Sequence, residues 1–231
     1  MKAYTSNNIR NIAVLGHGGK GKTTLCEAML YIAGASDRLG RVADGNTVLD
    51  FDSEEKRRKS SVSSAIAALE WDNTKLNIID APGLFDFEGG AAEAVRAAEA
   101  VLIVTSAGSG VDVGTEKAFR AAEKKGAAKF FAVTKTDSDH RNFYKTFDAL
   151  KEVYGNKLCP TIIPYMEGNI TKCYVNLMTG MAFSYDENGK ATKVPVPEDS
   201  VIEEMTSAFM EATTLLWKNS SRVRNSPRRK Y

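Results

Sequence analysis

The stretch that most constrains the fold lies near the start of the chain, in residues 11–25. Its apolar run 12–15 predicts a buried parallel strand, and 24–32 predicts a helix. Between them stands the pattern Gly16-x-x-x-x-Gly-Lys-Thr23. A glycine-rich loop between a strand and a helix is typical of the P-loop, whose backbone N–H groups and helix N-terminus bind phosphate oxygens. The sequence therefore predicts a P-loop NTPase with a nucleoside triphosphate site; the alternative is a glycine-rich turn without a ligand.

This loop supplies most of the candidate ligands. The residues predicted to bind nucleotide there are Gly16, His17, Gly18, Gly19, Lys20, Gly21, Lys22, Thr23 and Thr24. We expect Lys22 to bring positive charge to the β- and γ-phosphates and the Thr23 hydroxyl to ligate Mg²⁺. Lys20 is a candidate for a second cation beside the phosphates, with a solvent-exposed side chain as the alternative. For His17 the alternative is a structural loop residue.

Strands and helices alternate along the first two thirds of the chain. Apolar runs at 76–80, 101–105 and 129–133 predict buried strands, and helical patterns at 90–100, 115–125 and 138–154 follow them. The segment 37–59 has no clean period and is predicted to be a long loop with short ordered pieces. This order predicts an α/β fold with a doubly wound, mostly parallel sheet and helices on both faces. Ligands of such sheets bind at the carboxyl ends of the strands.

The predicted secondary structure changes near residue 160, where strands no longer alternate with helices. Short strands are predicted at 161–164, 172–178 and 181–185, with a turn at Asn188-Gly189 and an amphipathic helix over 198–216. We therefore predict a P-loop nucleotide-binding domain over 1–158, a partial α+β insertion subdomain over 159–217 and a tail over 218–231. The tail is basic and predicted to be disordered; binding to RNA is the alternative.

Two further motifs follow predicted strands. In Asp80-Ala-Pro-Gly83 the aspartate is expected to hold Mg²⁺ and the Gly83 N–H to contact the γ-phosphate. Thr134-Lys-Thr-Asp137 resembles the guanine-reading motif Asn-Lys-x-Asp. The Asp137 carboxylate would accept hydrogen bonds from guanine N1 and N2, and Lys135 would lay its aliphatic stem along the ring. A strand end followed by a helix cap is the alternative for Thr134 to Asp137.

Composition excludes several other classes. The chain has 231 residues, of which 43% are hydrophobic and 26% charged, as is ordinary for a globular protein. No apolar run reaches the 18 or so residues that a membrane span needs, and residues 1–10 do not resemble a signal peptide. Three scattered cysteines, Cys26, Cys159 and Cys173, argue against a disulfide framework or zinc site and favour reduced thiols in a cytoplasm.

Over residues 8–211 the sequence resembles the elongation factor G family of translational GTPases, in its N-terminal G domain only. The likeness rests on the motifs already quoted and on Ser61-Val-Ser-Ser-Ala65. Residues 185–190 and 194–199 resemble the subdomain that elongation factor G inserts into its G domain. The resemblance implies GTP or GDP as ligand, with Mg²⁺ held by Thr23, Ser61 and Asp80. It also implies a role in translation elongation, with the ribosome as partner of the full-length protein, in a cytoplasmic monomer that binds no membrane.

The departures from the family concern hydrolysis. Where the family carries the histidine that orients the attacking water, this chain has Leu84. The two apolar gate positions fall at Gly18 and Ser60, the P-loop aspartate position at Gly19, and the guanine-motif asparagine at Thr134. We therefore predict slow GTP hydrolysis, or activation by a group from elsewhere. The competing hypotheses are a truncated or non-catalytic guanine-nucleotide-binding module and, with Asp137 idle, a P-loop ATPase or kinase.

The end of the chain also departs from the family pattern. The family's Ser-Ala guanine-contacting loop and further domains have no counterpart in these 231 residues. After Glu211 the charged residues are all basic, whereas the family's helix continues with acidic ones. We therefore hypothesise that about 213–231 is not native family sequence. An intact reading frame of this length in several isolates would contradict that hypothesis.

Overall fold

The computed structural model describes residues 2–136, 142–155, 158–168, 170–186 and 189–224, with side chains as far as 214. The chain divides into two compact units within helix Phe143–Tyr154. The first holds the residues up to Thr136 and the start of that helix, and the second holds the residues from Phe147 onward. The predicted domain limits at 158/159 and 217/218 stay a prediction.

The first unit is built on a five-stranded sheet. Its strands are β1 Ile9–Leu15, β2 Ala65–Trp71, β3 Thr74–Asp80, β4 Ala100–Ser106 and β5 Ala128–Thr134, in the spatial order β2-β3-β1-β4-β5. β1 pairs in parallel with β3 and β4, β4 pairs in parallel with β5, and β2 is an antiparallel edge strand. The predicted mostly parallel, doubly wound P-loop fold is thereby confirmed.

Helices cover both faces of this sheet: α1 Lys22–Ile32 packs on one face, and α3 Glu88–Ala97 and α4 Val113–Lys125 pack on the other. The chain also forms the short helix α2 Ser53–Arg58 and helix α5 Phe143–Tyr154, within which the two units divide. Successive strand residues point to opposite faces. Val14 accordingly packs with Cys26 and Leu30 of α1, and the same buried cluster contains Leu49, Ala65, Leu69, Ile78 and Val104. The next residue, Leu15, lies on the other face, where α3 and α4 pack.

Helix α2 lies inside the segment that the sequence predicted to be a long loop. Its start is fixed by a capping box, in which Glu54 N donates to Asp52 and Asp52 N donates to Glu55 Oε2 at 3.2 Å. An acidic cap followed three residues later by glutamate is a sequence signature of a helix start. Six residues are too few to show a helical period, so the apolar pattern gave no sign of this helix.

The second unit contains an antiparallel sheet and a long helix. The strands are β6 Ile162–Glu167, β7 Ile170–Asn176, β8 Met181–Tyr185 and β9 Ala191–Val194, in that spatial order. Ile163, Val175 and Ala182 are buried on one face. Helix α6 runs from Ser200 to Arg224, beyond its predicted end at residue 216. β9 was not predicted, because the exposed residues 191–193 show no alternation. No helix in the described part of the chain is long and apolar enough to cross a membrane.

Candidate nucleotide-binding site

Most of the predicted site residues that the structure describes lie where the parallel strands end. β1 leads into the phosphate loop (residues 16–23), β3 into residues 81–84, β4 into the 106–112 loop and β5 into residues 135–136. Because neighbouring parallel strands end at the same edge of the sheet, these four segments lie side by side. Hydrogen bonds join the phosphate loop to both the 106–112 loop and the end of β5.

Two glycines allow the closest approaches in this site. Gly16 has φ +138°, and a Cβ there would lie 2.2 Å from the Val104 carbonyl oxygen. A Cβ at Gly83 would lie 2.2 Å from Lys22 Nζ and 2.7 Å from the Gly18 nitrogen. The backbone at Gly83 is therefore packed directly against the phosphate loop. Only glycine fits at either position without displacing backbone atoms.

Lys22 starts α1 and is buried, with 6% of its surface exposed. Its Nζ donates to the His17 carbonyl oxygen at 3.2 Å, across the phosphate loop. Burial lowers the pKa of Lys22, and the nearby Asp80 carboxylate partly opposes that change. A phosphate group beside Lys22 would favour its charged ammonium form and raise its pKa again. The buried lysine is therefore suited to bind an anion.

Hydroxyl and carboxylate oxygens cluster beside Lys22. Thr23 Oγ1 donates to Asp80 Oδ2 at 2.6 Å and lies 3.2 Å from Ser61 Oγ. Ser61 Oγ in turn donates to Asp50 Oδ1 at 3.0 Å. Burial raises the pKa of Asp80 to about 6, against the opposing effects of the Thr23 hydrogen bond and Lys22, while Asp50 and Glu27 raise it further. The cluster joins the three predicted metal ligands, Thr23, Ser61 and Asp80.

These oxygens fit a magnesium ion. Asp80 Oδ1 is buried and accepts no hydrogen bond from the protein. Mg²⁺ prefers hard oxygen ligands and keeps several positions for waters and substrate phosphates, so it needs few protein ligands. Among the residues with described side chains, no group of three or more His, Cys, Asp and Glu could hold a metal alone. A set of two hydroxyls and one carboxylate therefore suits a metal that arrives with phosphates.

Two buried glutamates accept hydrogen bonds from backbone N–H groups of the segments near this cluster. Glu27 Oε1 accepts hydrogen bonds from Val48 N at 2.8 Å and Leu49 N at 3.0 Å. Glu55 Oε1 accepts from Val62 N at 2.9 Å and Ser63 N at 3.1 Å. Sequence reasoning missed both roles. The capping signature of Asp52 followed by Glu55 could have revealed the helix start and the role of Glu55, but nothing in the sequence marked Glu27, which lies on the buried face of α1.

Position 84, where the family has its histidine, lies in an apolar part of the site. Leu84 is 38% exposed, and its Cδ2 would lie 3.1 Å from a Cβ on Gly18. The next residue, Phe85, meets the His17 ring edge-on with centroids 5.6 Å apart. Leu84 and Phe85 also line a cavity of about 360 Å³ between α3 and α4. Position 84 thus presents only methyl groups beside the phosphate loop.

The end of β5 also contacts the phosphate loop. Thr134 Oγ1 donates to the Lys20 carbonyl oxygen at 2.7 Å, and Lys135 Nζ donates to the Gly19 carbonyl oxygen at 2.7 Å. The first half of the predicted guanine motif therefore contacts the phosphate loop directly. Asp137, the residue expected to read guanine, lies outside the described residues.

The other predicted loop residues differ in exposure. His17 and Gly18 are half-buried, whereas Gly19 and Thr24 are exposed. The Lys20 side chain does not extend into solvent, because its Nζ pairs with Asp112 Oδ2 at 3.2 Å. The structure thus brings together the loop, Asp80, Gly83, Thr134 and Lys135.

A glycine-rich loop between a parallel strand and a helix, with an aspartate ending the neighbouring strand, defines a P-loop nucleotide-binding domain. The profile described as "Elongation factor Tu GTP binding domain" matches residues 7–217. The chain belongs to this family, as a G domain of the elongation-factor-G-like translational GTPases. The family resemblance predicted from the motifs is confirmed.

Individual relatives agree with this assignment. An "Elongation factor G-like protein" from Mycobacterium tuberculosis is 34% identical over 88% of this chain and 28% of its own length. "Elongation factor G" from Mycoplasma genitalium is 29% identical over 90% of this chain and 31% of its own length. The crystal structure of a Thermus thermophilus protein superposes with a TM-score of 0.81 and 36% identity, covering 88% of this chain and 30% of that one. The chain therefore spans less than a third of the length of the relatives it matches.

Proposed function

We propose that this chain binds Mg²⁺-GTP and Mg²⁺-GDP and hydrolyses GTP slowly, as the G domain of a factor that acts with the ribosome in translation elongation. The observation that carries the proposal is the contact between Gly83 and the phosphate loop around Lys22. This close contact supports Gly83 as the residue that senses the γ-phosphate and Lys22 as the cation that neutralises the phosphates. Family membership supports guanine as the base.

Each residue of the site has a role in this proposal. The phosphate loop binds the phosphates through its N–H groups, and Lys22 neutralises their charge. Thr23, Ser61 and Asp80 hold Mg²⁺, which when bound would stabilise charge on the phosphate oxygens. Lys135 and Asp137 select guanine. We propose a cytoplasmic monomer and the domain limits 1–158, 159–217 and 218–231.

A second candidate function is a guanine-nucleotide-binding module with little hydrolysis. Leu84 favours it, because methyl groups beside the phosphate loop cannot orient or deprotonate a water molecule. In-line attack by water would then lack its usual positioning group. Both candidates require the same binding site and differ only in rate.

Nucleotide binding is tested with the purified chain and fluorescent GDP. We expect Mg²⁺-dependent binding that GTP competes away and ATP does not. Lys22→Ala should abolish it, and Asp137→Asn should remove the preference for guanine. If ATP displaces GDP as well as GTP does, guanine selectivity is wrong and the chain is a P-loop ATPase or kinase.

Hydrolysis is tested by single-turnover measurements with GTP, with and without ribosomes. We expect a slow rate that exceeds the rate of Lys22→Ala. A rate equal to that background in both conditions would leave the binding module as the function. Faster GTP hydrolysis in the presence of ribosomes would indicate that the ribosome supplies the group that positions the attacking water.

A further inference from the structure

Lys20 lies inside the phosphate loop, yet its side chain points to the 106–112 loop. Its Nζ lies 2.8 Å from Ser109 Oγ, 3.2 Å from Asp112 Oδ2 and 3.4 Å from Ser106 Oγ. The two serine hydroxyls hydrogen-bond to each other, so they lie on the same side of Nζ, and Asp112 Oδ2 lies within ion-pair distance. The positive charge of Lys20 is therefore paired with the 106–112 loop.

The ion pair is shielded from water. The side chains of Lys20 and Asp112 are 17% and 19% exposed. Pairs with this degree of burial are screened less than surface pairs, whose net contribution is small. Burial raises the pKa of Asp112, but hydrogen bonds from Thr115 and the charge of Lys20 outweigh it, so the pKa lies below its ordinary value.

Asp112 is itself fixed by helix α4. Its Oδ1 accepts hydrogen bonds from Thr115 N at 2.8 Å and Thr115 Oγ1 at 2.9 Å, which makes it the N-cap of that helix. The aspartate therefore cannot follow Lys20 without breaking a helix cap. Lys20 is anchored to a rigid element and not to a free loop.

The backbone on either side of Lys20 is held as well. The Gly19 carbonyl accepts from Lys135 Nζ and the Lys20 carbonyl accepts from Thr134 Oγ1, both at 2.7 Å. In a planar trans peptide the N–H points opposite to the carbonyl. Holding these two carbonyls therefore fixes the directions of the Lys20 and Gly21 N–H groups, which is what a phosphate-binding loop requires.

We propose that Lys20 is a positioning residue, which clamps the phosphate loop to the 106–112 loop through Asp112 and orients the loop's N–H groups for phosphate. This inference rests on the proposed nucleotide binding. It replaces the expectation that Lys20 acts as a second cation at the phosphates. The two roles make opposite predictions for Asp112.

The test compares Lys20→Met with Asp112→Asn. Asparagine is as good an N-cap as aspartate, so Asp112→Asn removes the charge while leaving α4 capped. If Lys20 is a clamp, each variant weakens GDP and GTP binding by a similar factor, about five- to thirtyfold, and the double variant is no worse than either single one. If Lys20 is a phosphate ligand restrained by Asp112, then Asp112→Asn tightens binding, and the proposal is overturned.

Hydrogen–deuterium exchange of the nucleotide-free chain tests the clamp without any ligand. Both variants should speed exchange of the amides in the phosphate loop, while exchange in β1 stays unchanged. Unchanged exchange in the loop would overturn the clamp even if GDP binds. Absence of GDP binding in the unaltered chain, together with faster loop exchange in both variants, would contradict the proposed function and leave the clamp standing.

Lys172→Met is the matched control. Lys172 pairs with Glu167 at 3.3 Å, but their side chains are 49% and 59% exposed. Removing this surface lysine should change neither nucleotide affinity nor exchange in the phosphate loop. A loss equal to that of Lys20→Met would assign the effect to net charge and overturn the clamp.

Discussion

Gly83 is the residue at which one methyl group should have the largest effect on binding. A Cβ there would lie 2.2 Å from Lys22 Nζ, 2.7 Å from the Gly18 nitrogen and 2.8 Å from the Gly16 carbonyl oxygen. Lys22 can move its end, but the two backbone atoms can move only with the phosphate loop. We expect Gly83→Ala to weaken GDP binding at least tenfold, or about 1.4 kcal/mol, measured by fluorescence titration.

Gly89→Ala is the control for that substitution. Gly89 is an exposed residue in α3, and a Cβ there would have no heavy atom within 4 Å. We expect unchanged nucleotide affinity and a gain of about 0.4–1 kcal/mol in unfolding free energy, because alanine restricts the unfolded chain. Equal losses of affinity in both variants would contradict the close contact at Gly83.

Leu84 is the residue that limits hydrolysis in the proposed function. Its side chain reaches toward Gly18, so a histidine at position 84 would bring its ring to the same side of the phosphate loop. We expect Leu84→His to raise the single-turnover rate of GTP hydrolysis at least about tenfold, since a positioned general base contributes 10²–10⁴-fold. Leu84→Met should leave the rate unchanged. No increase in Leu84→His would mean that position 84 does not face the reacting water.

At the scale of elements, α2 and its glutamate organise the segment that carries Ser61. The Glu55 side chain is 1% exposed and accepts hydrogen bonds from Asp52, Val62 and Ser63. We expect Glu55→Ala to lower the unfolding free energy by about 2–4 kcal/mol, because three backbone N–H groups lose a buried carboxylate acceptor. Hydrogen–deuterium exchange of the amides of residues 62 and 63 should become faster. Nucleotide binding should need a higher Mg²⁺ concentration, because Ser61 is less well placed.

Glu54→Ala is the matched control in the same helix. Glu54 pairs with Arg57 and Arg58 on the exposed surface of α2. Exposed pairs of this kind contribute little to stability. We expect a much smaller change in unfolding free energy and no change in exchange at 62–63. Similar losses in both variants would show that helix propensity, and not the buried carboxylate, holds the segment.

For the whole molecule, the sequence predicted local patterns better than contacts between distant segments. The apolar runs of β1, β3, β4 and β5 were long enough to predict the parallel sheet. The P-loop pattern predicted a helix directly after β1, and Lys22 and Thr23 begin that helix. The ion pair of Lys20 with Asp112 joins residues far apart in sequence, so no spacing rule revealed it. The same holds for Glu27, which lies on the buried face of α1 but holds the backbone at residues 48–49.

The pH dependence of the unfolding free energy should reflect the titration of Asp80. Its pKa is 3.8 in an unfolded chain and about 6 in the folded one, chiefly because burial disfavours the carboxylate. Between these values the folded state binds more protons than the unfolded state, so unfolding free energy falls as pH rises from about 4 to about 6. Each pKa unit corresponds to about 1.4 kcal/mol.

Denaturant unfolding of the nucleotide-free chain in EDTA, at several pH values, measures this slope. The difference in stability between Asp80→Asn and the unaltered chain should grow in favour of the variant up to about pH 6 and then stay constant. Mg²⁺ with GDP should reverse the order above pH 6, because both bind the folded state and the metal needs the charged carboxylate. A difference that does not vary with pH would mean that Asp80 is already ionised in the empty site and that the Thr23 hydrogen bond and Lys22 outweigh its burial.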